Sequence, residues 1–243
     1  MCKFCDPVPA PFSRRRFMLG AALTVAASTR LMSPAWSAEP TLNAPAPNAI
    51  APEAALQRLM QGNERYVANA PEQKDHSASR AARVSVQYPI AAILSCADSR
   101  VSPELLFDQG PGDLFVVRVA GNFVHDDGLA SLEYAVKILG VPLLMVLGHT
   151  NCGAVDAAIK VVKESAELPG HLPELIESIK PAVIAAQAGH PADLLAAAIE
   201  ENVKLNVKRL HADEPIVSEA LAAKKVAAVG GIYDLATGKV SLI

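Results

Sequence analysis

Short apolar runs alternate with helical segments along most of this chain, and this alternation restricts the folds that it can adopt. Residues 90–95, 114–119 and 143–147 are apolar throughout or nearly so, as strands buried on both faces are. The segment 129–139 instead carries apolar residues three and four positions apart, which is typical of a helix. Buried strands separated by helices predict a mostly parallel sheet with helices on its faces.

The other predicted elements complete this α/β fold. Helices are predicted at 52–67, 152–162, 173–187, 191–210 and 214–224, and strands at 226–233 and 239–243, with a polar stretch at 71–83. We therefore expect a central β-sheet of about four parallel strands plus a C-terminal antiparallel strand, flanked by helices. In such sheets, functional sites lie at the carboxyl ends of the strands.

Composition excludes several classes of protein. Of the 243 residues, 51% are hydrophobic and 19% are charged, which is incompatible with a disordered chain. Lys and Arg number 22 against 25 Asp and Glu, so there is no basic surplus and we expect no nucleic-acid partner.

The first 38 residues are typical of an export signal. Arg14, Arg15 and Arg16 precede an apolar run at 19–27, which is too short to span a membrane, and small residues follow at 35–38. Paired arginines followed by Phe resemble a twin-arginine signal, which implies a periplasmic protein with no membrane contact after cleavage. An uncleaved amphipathic anchor is the alternative.

These features divide the chain into a signal peptide at 1–38, a flexible Pro- and Ala-rich linker at 39–51 and one catalytic domain at 52–243. Cleavage of the signal would leave 17 basic and 24 acidic side chains, a net charge of −7. Cys2 and Cys5 form a C-x-x-C pair that would be removed with the signal, so the mature protein keeps Cys96 and Cys152.

Potential metal ligands follow two of the predicted strands. Cys96 comes directly after the first strand, and His149 and Cys152 follow the third. Parallel strands bring these ends to one edge of the sheet, and two thiolates with one imidazole form a typical zinc ligand set. Three protein ligands leave the fourth position open, as in catalytic zinc sites. Cys152 also begins a helix, for which Asn151 is the expected cap, and the helix dipole favours its thiolate form.

Simpler interpretations of these residues exist. Cys96 and Cys152 could form a disulfide in an exported protein, or each could pack as a small apolar side chain. His149 could be a hydrogen-bonded core residue. The combination of His-x-x-Cys at one strand end with Cys-x-Asp-x-Arg at the other favours the metal site.

Asp98 and Arg100 form a second pair of interest. Asp98 lies two residues beyond a ligand, so it can approach the open metal position or turn away from it. Arg100 can hold it away through a charge-assisted hydrogen bond. The alternative is an ion pair with only a structural role.

With its Cys-x-Asp-Ser-Arg and His-x-x-Cys-Gly motifs, separated by one strand and one helix, the chain resembles the β-class carbonic anhydrases. The resemblance runs from about residue 52 to 243. It includes Glu64-Arg65-Tyr66, the run Phe107 to Arg118, Ser131 to Val136 and Leu147-Gly148-His149. Ile93 stands where the bicarbonate-regulated subgroup has tryptophan, so the resemblance is to the plant-like subgroup with an open site at neutral pH.

The resemblance implies a role for each site residue. Cys96, His149 and Cys152 would bind one zinc ion per chain, Asp98 would orient the zinc-bound hydroxide, and Arg100 would pair with Asp98. The substrate-binding residues would be Gln87, Phe115, Tyr134 and Gly153, of which the first three face a pocket that the family builds at a dimer interface.

The implied function is that of a lyase: zinc-dependent reversible hydration of carbon dioxide to bicarbonate and a proton. The implied assembly is a homodimer or a multiple of dimers. Two alternatives keep the same fold: a zinc hydrolase of a related small substrate such as CS₂ or COS, and a non-enzymatic zinc-binding protein. An intact Asp98–Arg100 pair and Gln87 argue against the binding protein, since a storage site needs neither.

Overall fold

A computed structural model describes residues 46–243 of this protein, apart from the side chain of Ser79, and it contains a five-stranded sheet. The strands are β1 (Ala91–Ser95), β2 (Leu114–Arg118), β3 (Leu143–His149), β4 (Ala227–Tyr233) and β5 (Val240–Leu242). Their order across the sheet is β2-β1-β3-β4-β5. The first four are parallel and β5 is antiparallel to β4, so the predicted fold class is confirmed.

Burial explains why these apolar runs form central strands. All five residues of β1 and all seven of β3 are buried, because helices cover both faces of the sheet. One face packs against α1 (Pro52–Val67) and α3 (Pro103–Leu106), with Leu59, Phe107 and Met145 among the buried side chains. The other face packs against α4 (Asp126–Lys137), α8 (Leu194–Ala212) and α9 (Ile216–Ala222).

A third apolar cluster lies beyond the carboxyl ends of β1 and β3. It joins α5 (Gly153–Glu164), α6 (Leu172–Glu177), α7 (Lys180–Ala188) and part of α8 around Cys96, Cys152 and Ile179. The predicted single helix at 173–187 is thus two helices, interrupted at Ser178 and Ile179.

The polar stretch after α1 contains one further helix, α2 (His76–Ala82). The Asp75 side chain caps it by accepting hydrogen bonds from the N–H groups of Ser77 and Ala78. The seven residues of α2 have no apolar period, which is why hydrophobic patterning did not predict it.

The signal peptide and residues 39–45 of the predicted linker lie outside the described residues. Within the rest of that linker, Asn48 is buried, and its side-chain amide donates to the carbonyls of Pro89 and Leu139 at 3.1 and 2.8 Å. These bonds attach residues 46–51 to the segments that precede β1 and β3. Between residues 46 and 243, none of the helices is both long and apolar enough to cross a bilayer.

Candidate metal centre

Two adjacent parallel strands deliver the three predicted ligands to one place. Leu147 of β3 lies beside Ser95, the last residue of β1, and Cys96 follows Ser95 directly. His149 is the last residue of β3, and Cys152 is the N-cap of α5. The ligand atoms of Cys96, His149 and Cys152 all lie within 4.8 Å of one another, and all three residues are buried.

Asn151 does not cap α5, contrary to the expectation from its position. Its φ of +53° places it in the left-handed region, and the cap residue is Cys152 itself, without a side-chain cap bond. This conformation turns the chain sharply between the two ligands His149 and Cys152, which brings both to the same side.

The imidazole of His149 is oriented for metal binding by its own loop. Its Nδ1 lies 2.9 Å from the Thr150 carbonyl oxygen, which can only accept, so Nδ1 carries the proton and Nε2 keeps its lone pair. Nε2 is buried and has no hydrogen-bond partner among residues 46–243. The loop is anchored to the end of β4, because Thr150 N donates to Tyr233 O at 2.9 Å and Leu235 N donates to Thr150 Oγ1 at 3.0 Å.

The two sulfur atoms are coupled. Cys96 Sγ accepts hydrogen bonds from the N–H groups of Gly121 and Asp98 at 3.3 and 3.4 Å. A hydrogen bond from the Cys152 thiol, together with these N–H groups, lowers the pKa of Cys96. The pKa of Cys152 is raised because its thiol donates to Cys96 and is buried.

The hydrogen bond between the two sulfurs thus favours the thiolate of Cys96 and disfavours that of Cys152. A divalent cation would supply the positive charge that allows both to ionise. Two thiols, a neutral imidazole with an orphaned Nε2 and a separation suited to tetrahedral coordination fit zinc. Both cysteines are free thiols here, so the structure does not contain the alternative disulfide.

Asp98 lies beside this cluster and is held by Arg100. Arg100 Nε donates to Oδ1 at 2.9 Å and Nη2 donates to Oδ2 at 2.7 Å, while the Arg100 backbone N–H also donates to Oδ1 at 2.9 Å. Hydrogen bonding to the guanidinium holds the pKa of the Asp98 carboxyl well below its usual range. Oδ2 lies 3.9 Å from His149 Nε2, so the carboxylate lies next to the metal-binding atoms.

Arg118 is a site residue that sequence reasoning did not single out. Its Nε donates to the Cys96 carbonyl at 3.0 Å and its Nη2 to the Asp98 carbonyl at 2.7 Å. The last residue of the edge strand β2 thereby fixes the loop that carries both a ligand and the carboxylate. The sequence did offer a signal for this role: Arg118 ends an apolar strand, at the same end of the sheet as the predicted ligands.

Three of the four predicted substrate residues lie away from the ligand cluster of this chain. Gln87 and Tyr134 line a cavity of about 740 Å³ whose wall also includes Tyr88, Gly112 and Leu139, and none of its lining residues is a predicted metal ligand. Gln87, Gly112 and Leu139 precede β1, β2 and β3, so this cavity lies at the amino ends of the strands.

Phe115 also lies near the amino ends of the strands. Its ring centroid is 6.4 Å from that of Tyr134. It pairs with Ala92, four residues before Cys96, which at 3.3 Å per residue is roughly 13 Å along the strand. Gly153, by contrast, is the exposed first residue of α5, directly after Cys152.

A buried Cys-His-Cys set at the carboxyl edge of a parallel sheet defines an α/β metalloprotein of the zinc type. A family model described as "Carbonic anhydrase" matches residues 91–240 of this chain. "Carbonic anhydrase 2" of Mycobacterium tuberculosis is 40% identical over 195 residues, which cover 79% of this chain and 92% of that protein. The carbonic anhydrase of Mycolicibacterium smegmatis is 39% identical, over 79% of this chain and 93% of its own length.

Solved structures agree with these relatives. The Coccomyxa β-carbonic anhydrase in complex with acetazolamide superposes with a TM-score of 0.61 at 28% identity, covering 77% of this chain and 86% of that one. The β-carbonic anhydrase CafA of Aspergillus fumigatus has a TM-score of 0.62 at 26% identity, covering 79% and 89%. The chain belongs to the β-carbonic anhydrase family. The predicted enzyme class and zinc cofactor are confirmed by this membership and by the ligand cluster.

Proposed function

We propose that this chain catalyses the reversible hydration of carbon dioxide to bicarbonate and a proton at a zinc ion held by Cys96, His149 and Cys152. The observation that carries the proposal is the ionised Asp98, 3.9 Å from His149 Nε2 and held in place by Arg100. A site that only stores metal gains nothing from a carboxylate beside an open coordination position.

The chemistry divides between the metal and the chain. A zinc ion in this ligand set supplies a Lewis acid that lowers the pKa of water toward neutrality. Asp98 Oδ1 accepts two hydrogen bonds from Arg100, whereas Oδ2 accepts one, so Oδ2 retains acceptor capacity. Oδ2 is therefore the atom that can accept a proton-bearing donor at the reacting centre and orient it.

Arg100 keeps Asp98 from becoming a fourth ligand. Its bidentate hydrogen bonds hold the carboxylate in one orientation, and Nη2 also reaches the Asn151 carbonyl at 3.4 Å. We include the open-site, plant-like arrangement in the proposal; this pairing and the buried Ile93 in the middle of β1 support it.

Substrate would be bound by residues of two subunits. Gln87, Phe115 and Tyr134 lie near the amino ends of the strands, whereas the ligands of their own chain lie at the carboxyl ends. Their action on substrate would therefore require a metal centre from a second copy. Gly153 lies beside a ligand of its own chain. A homodimer, or a multiple of dimers, would bring the two halves together, with Gln87 donating to a substrate oxygen.

We extend the proposal to the location of the enzyme. Residues 1–38 would direct the folded protein to the periplasm by the twin-arginine route, which would deliver the domain at 52–243 already loaded with zinc. Changing Arg15 and Arg16 together to Lys should leave the precursor in the cytoplasm, whereas Arg30→Lys should not. Fractionation and N-terminal sequencing of the exported protein measure both outcomes, and equal export of the two variants would contradict the proposal.

Metal content and CO₂ hydration on one sample of purified protein test the proposed reaction. The expected result is about one zinc per chain, with hydration that stops when the metal is removed and returns when zinc is restored under reducing conditions. Zinc without hydration would reject the reaction but keep the ligand set. A protein that binds no zinc even when fully reduced would reject both.

A further inference from the structure

Cys96 Sγ accepts two backbone hydrogen bonds that differ in origin. The Asp98 N–H belongs to the same short loop and is placed by the local chain. The Gly121 N–H, 3.3 Å away, comes from a different part of the structure, the connection between β2 and α4. Val119, two residues before Gly121, already pairs with the neighbours of Cys96: its N–H donates to the Ser95 carbonyl at 3.1 Å and its carbonyl accepts from the Ala97 N–H at 3.2 Å. This pairing brings the chain close to Cys96 and leaves the orientation of the Gly121 backbone to be fixed.

The backbone of residues 121–124, here called the Gly121 segment, is sharply turned. Gly121 has a φ of +84° and Asn122 a φ of +42°. The positive φ favours glycine at 121, and a Cβ there would also lie 2.4 Å from Cδ1 of Ile179, the N-cap of α7, whose side chain would have to shift. Within the turn the Asn122 N–H donates to the Val119 carbonyl at 2.9 Å, and further bonds join the segment to side chains of α8.

Two buried asparagines of α8 bind both ends of the Gly121 segment. Asn202 Nδ2 donates to the Gly121 carbonyl at 2.7 Å, and Asn206 Oδ1 accepts from the Val124 N–H at 2.7 Å. The exposed fractions of Asn202 and Asn206 are 1% and 7%. Gly121 is thus held to α8 by its carbonyl and to Cys96 by its N–H.

The hydrogen-bond network fixes the orientation of both amides. The Val124 N–H can only donate, so it requires Oδ1 of Asn206 and leaves Nδ2 of Asn206 to donate. That Nδ2 lies 3.2 Å from Oδ1 of Asn202 and 2.7 Å from the Asn202 carbonyl. Asn202 therefore presents Nδ2, a donor, to Gly121.

We infer that Asn202 is a positioning residue for the metal centre: it holds the Gly121 N–H on the Cys96 thiolate and thereby tunes zinc affinity. The inference rests on the proposed ligand set. Hydrogen bonds to a ligand sulfur disperse its charge and fix its direction, and loss of such outer contacts typically weakens metal binding roughly 10–100-fold.

A merely structural role for Asn202 makes a different prediction, and Asn63 provides the control. Asn63 has an exposed fraction of 3% and makes the same kind of bonds, donating to the Leu106 and Gly238 carbonyls and accepting from the Val240 N–H. It joins α1 to the last residue of α3, to the turn between β4 and β5 and to β5 itself, and none of these contacts involves a metal ligand. Replacing it should destabilise the fold without changing the metal centre.

The experiment compares Asn202→Leu and Asn202→Ala with Asn63→Leu and Asn63→Ala. Thermal unfolding, zinc affinity by competition with a chromophoric chelator, and the thiolate-to-metal charge-transfer band of the cobalt(II)-substituted protein are measured for each. The alanine variants retain the comparison if a leucine variant does not fold.

Both Asn202 variants should bind zinc roughly 10–100-fold more weakly, and their cobalt charge-transfer band should move to lower energy because the sulfur has lost a donor. The Asn63 variants should unfold at lower temperature but keep native affinity and spectrum. Native affinity and spectrum in the Asn202 variants, at equal loss of thermal stability, would overturn the inference. Failure of the native protein to bind zinc would instead reject the ligand set.

Discussion

The carboxyl ends and the amino ends of the parallel strands, here called the carboxyl edge and the amino edge of the sheet, are built in different ways. At the carboxyl edge, three buried ligands and the carboxylate of Asp98 are fixed by backbone N–H groups and by two arginines. At the amino edge, Gln87 is exposed, the exposed fraction of Tyr134 is 47%, and the cavity between them is open to solvent. One edge carries its full ligand set within a single chain and the other presents exposed side chains, which is the difference that the proposed division of catalysis between subunits would explain.

The bracing of the amino edge is also different in kind, because it depends on ion pairs. Asp113 pairs with Arg83, a cavity-lining residue, at 2.6 Å. Asp108 pairs with Arg65 and Lys74 at 2.6 and 2.5 Å and accepts from the Glu72 N–H. These contacts hold the polar stretch that leads into α2. We therefore expect mutations at the two edges to affect different measurable properties.

The largest effect is expected at the carboxyl edge, from Cys152→Ala. Two remaining ligands cannot hold catalytic zinc, so metal content should fall close to zero and CO₂ hydration to the background rate. Val155→Ala, which removes buried packing from the same helix, should keep its zinc. A Cys152→Ala protein with full zinc and native turnover would refute the ligand assignment.

Asp98→Asn should have the next largest effect. The variant keeps all three ligands, so zinc content should be native, but it loses the acceptor and the charge that pairs with Arg100. Hydration near neutral pH should fall roughly 10²–10³-fold, the range for loss of one preorganised hydrogen-bonding group. Asp156→Asn, which removes an exposed acid paired with Lys160, is the control and should hydrate CO₂ at the native rate. Unchanged turnover in Asp98→Asn would remove Asp98 from the mechanism.

The division between subunits can be tested with mixed oligomers. Gln87→Ala should reduce hydration roughly 10²–10³-fold, as removal of a single oxyanion donor does, without loss of zinc. Co-assembly of Gln87→Ala with Cys152→Ala chains would give each mixed dimer one site with an intact metal centre and an intact glutamine from its partner. Activity well above that of either variant alone is expected. If the mixture is no more active than Gln87→Ala, Gln87 acts within its own chain or not at all.

The smallest effect is expected at the amino edge, in stability. Burial alone would raise the pKa of Asp108, but hydrogen bonds from Lys74 and Arg65 lower it to about 2. A lowered pKa in the folded state stabilises the protein above the unfolded pKa, and this contribution is lost as pH falls from about 4 to about 2. Asp108→Asn should therefore cost about 2 kcal/mol of unfolding free energy near neutral pH.

Urea denaturation of the native protein and of Asp108→Asn at about pH 6 and about pH 3 measures this contribution, and the difference should shrink at the lower pH. Asp156→Asn should cost less than about 0.5 kcal/mol, because its exposed pair is screened by water. A difference between native and Asp108→Asn that does not depend on pH would show that the ion pair is not its source.

The sequence predicted the carboxyl edge better than the amino edge. Buried strands are apolar throughout, and Cys96, His149 and Cys152 follow directly after two of them, so both the sheet and the ligand cluster could be read from pattern and spacing. Asn151 was misassigned as a cap because residue type suggested it, whereas its left-handed conformation depends on the chain path between two ligands.

Contacts between segments that are distant in the chain could not be predicted from the sequence. Asn202 and Asn206, four residues apart, read as ordinary polar positions of a helix, and only the packing of α8 over the Gly121 segment shows that they are buried. The spacing of Gln87, Phe115 and Tyr134 likewise does not indicate which edge of the sheet they face. That follows from the register of β1 with β2 and from the cavity before the strands.

The anchoring of the His149 loop to β4 has a consequence for how the protein is made. Thr150 is fixed by the Tyr233 carbonyl and the Leu235 N–H, and Tyr233 follows Cys152 by 81 residues. During translation, all three ligands therefore leave the ribosome well before the strand that anchors the His149 loop. In that interval Cys96 and Cys152 belong to an incomplete site whose thiols are open to oxidation, so reducing conditions during synthesis would protect the nascent chain until β4 is in place.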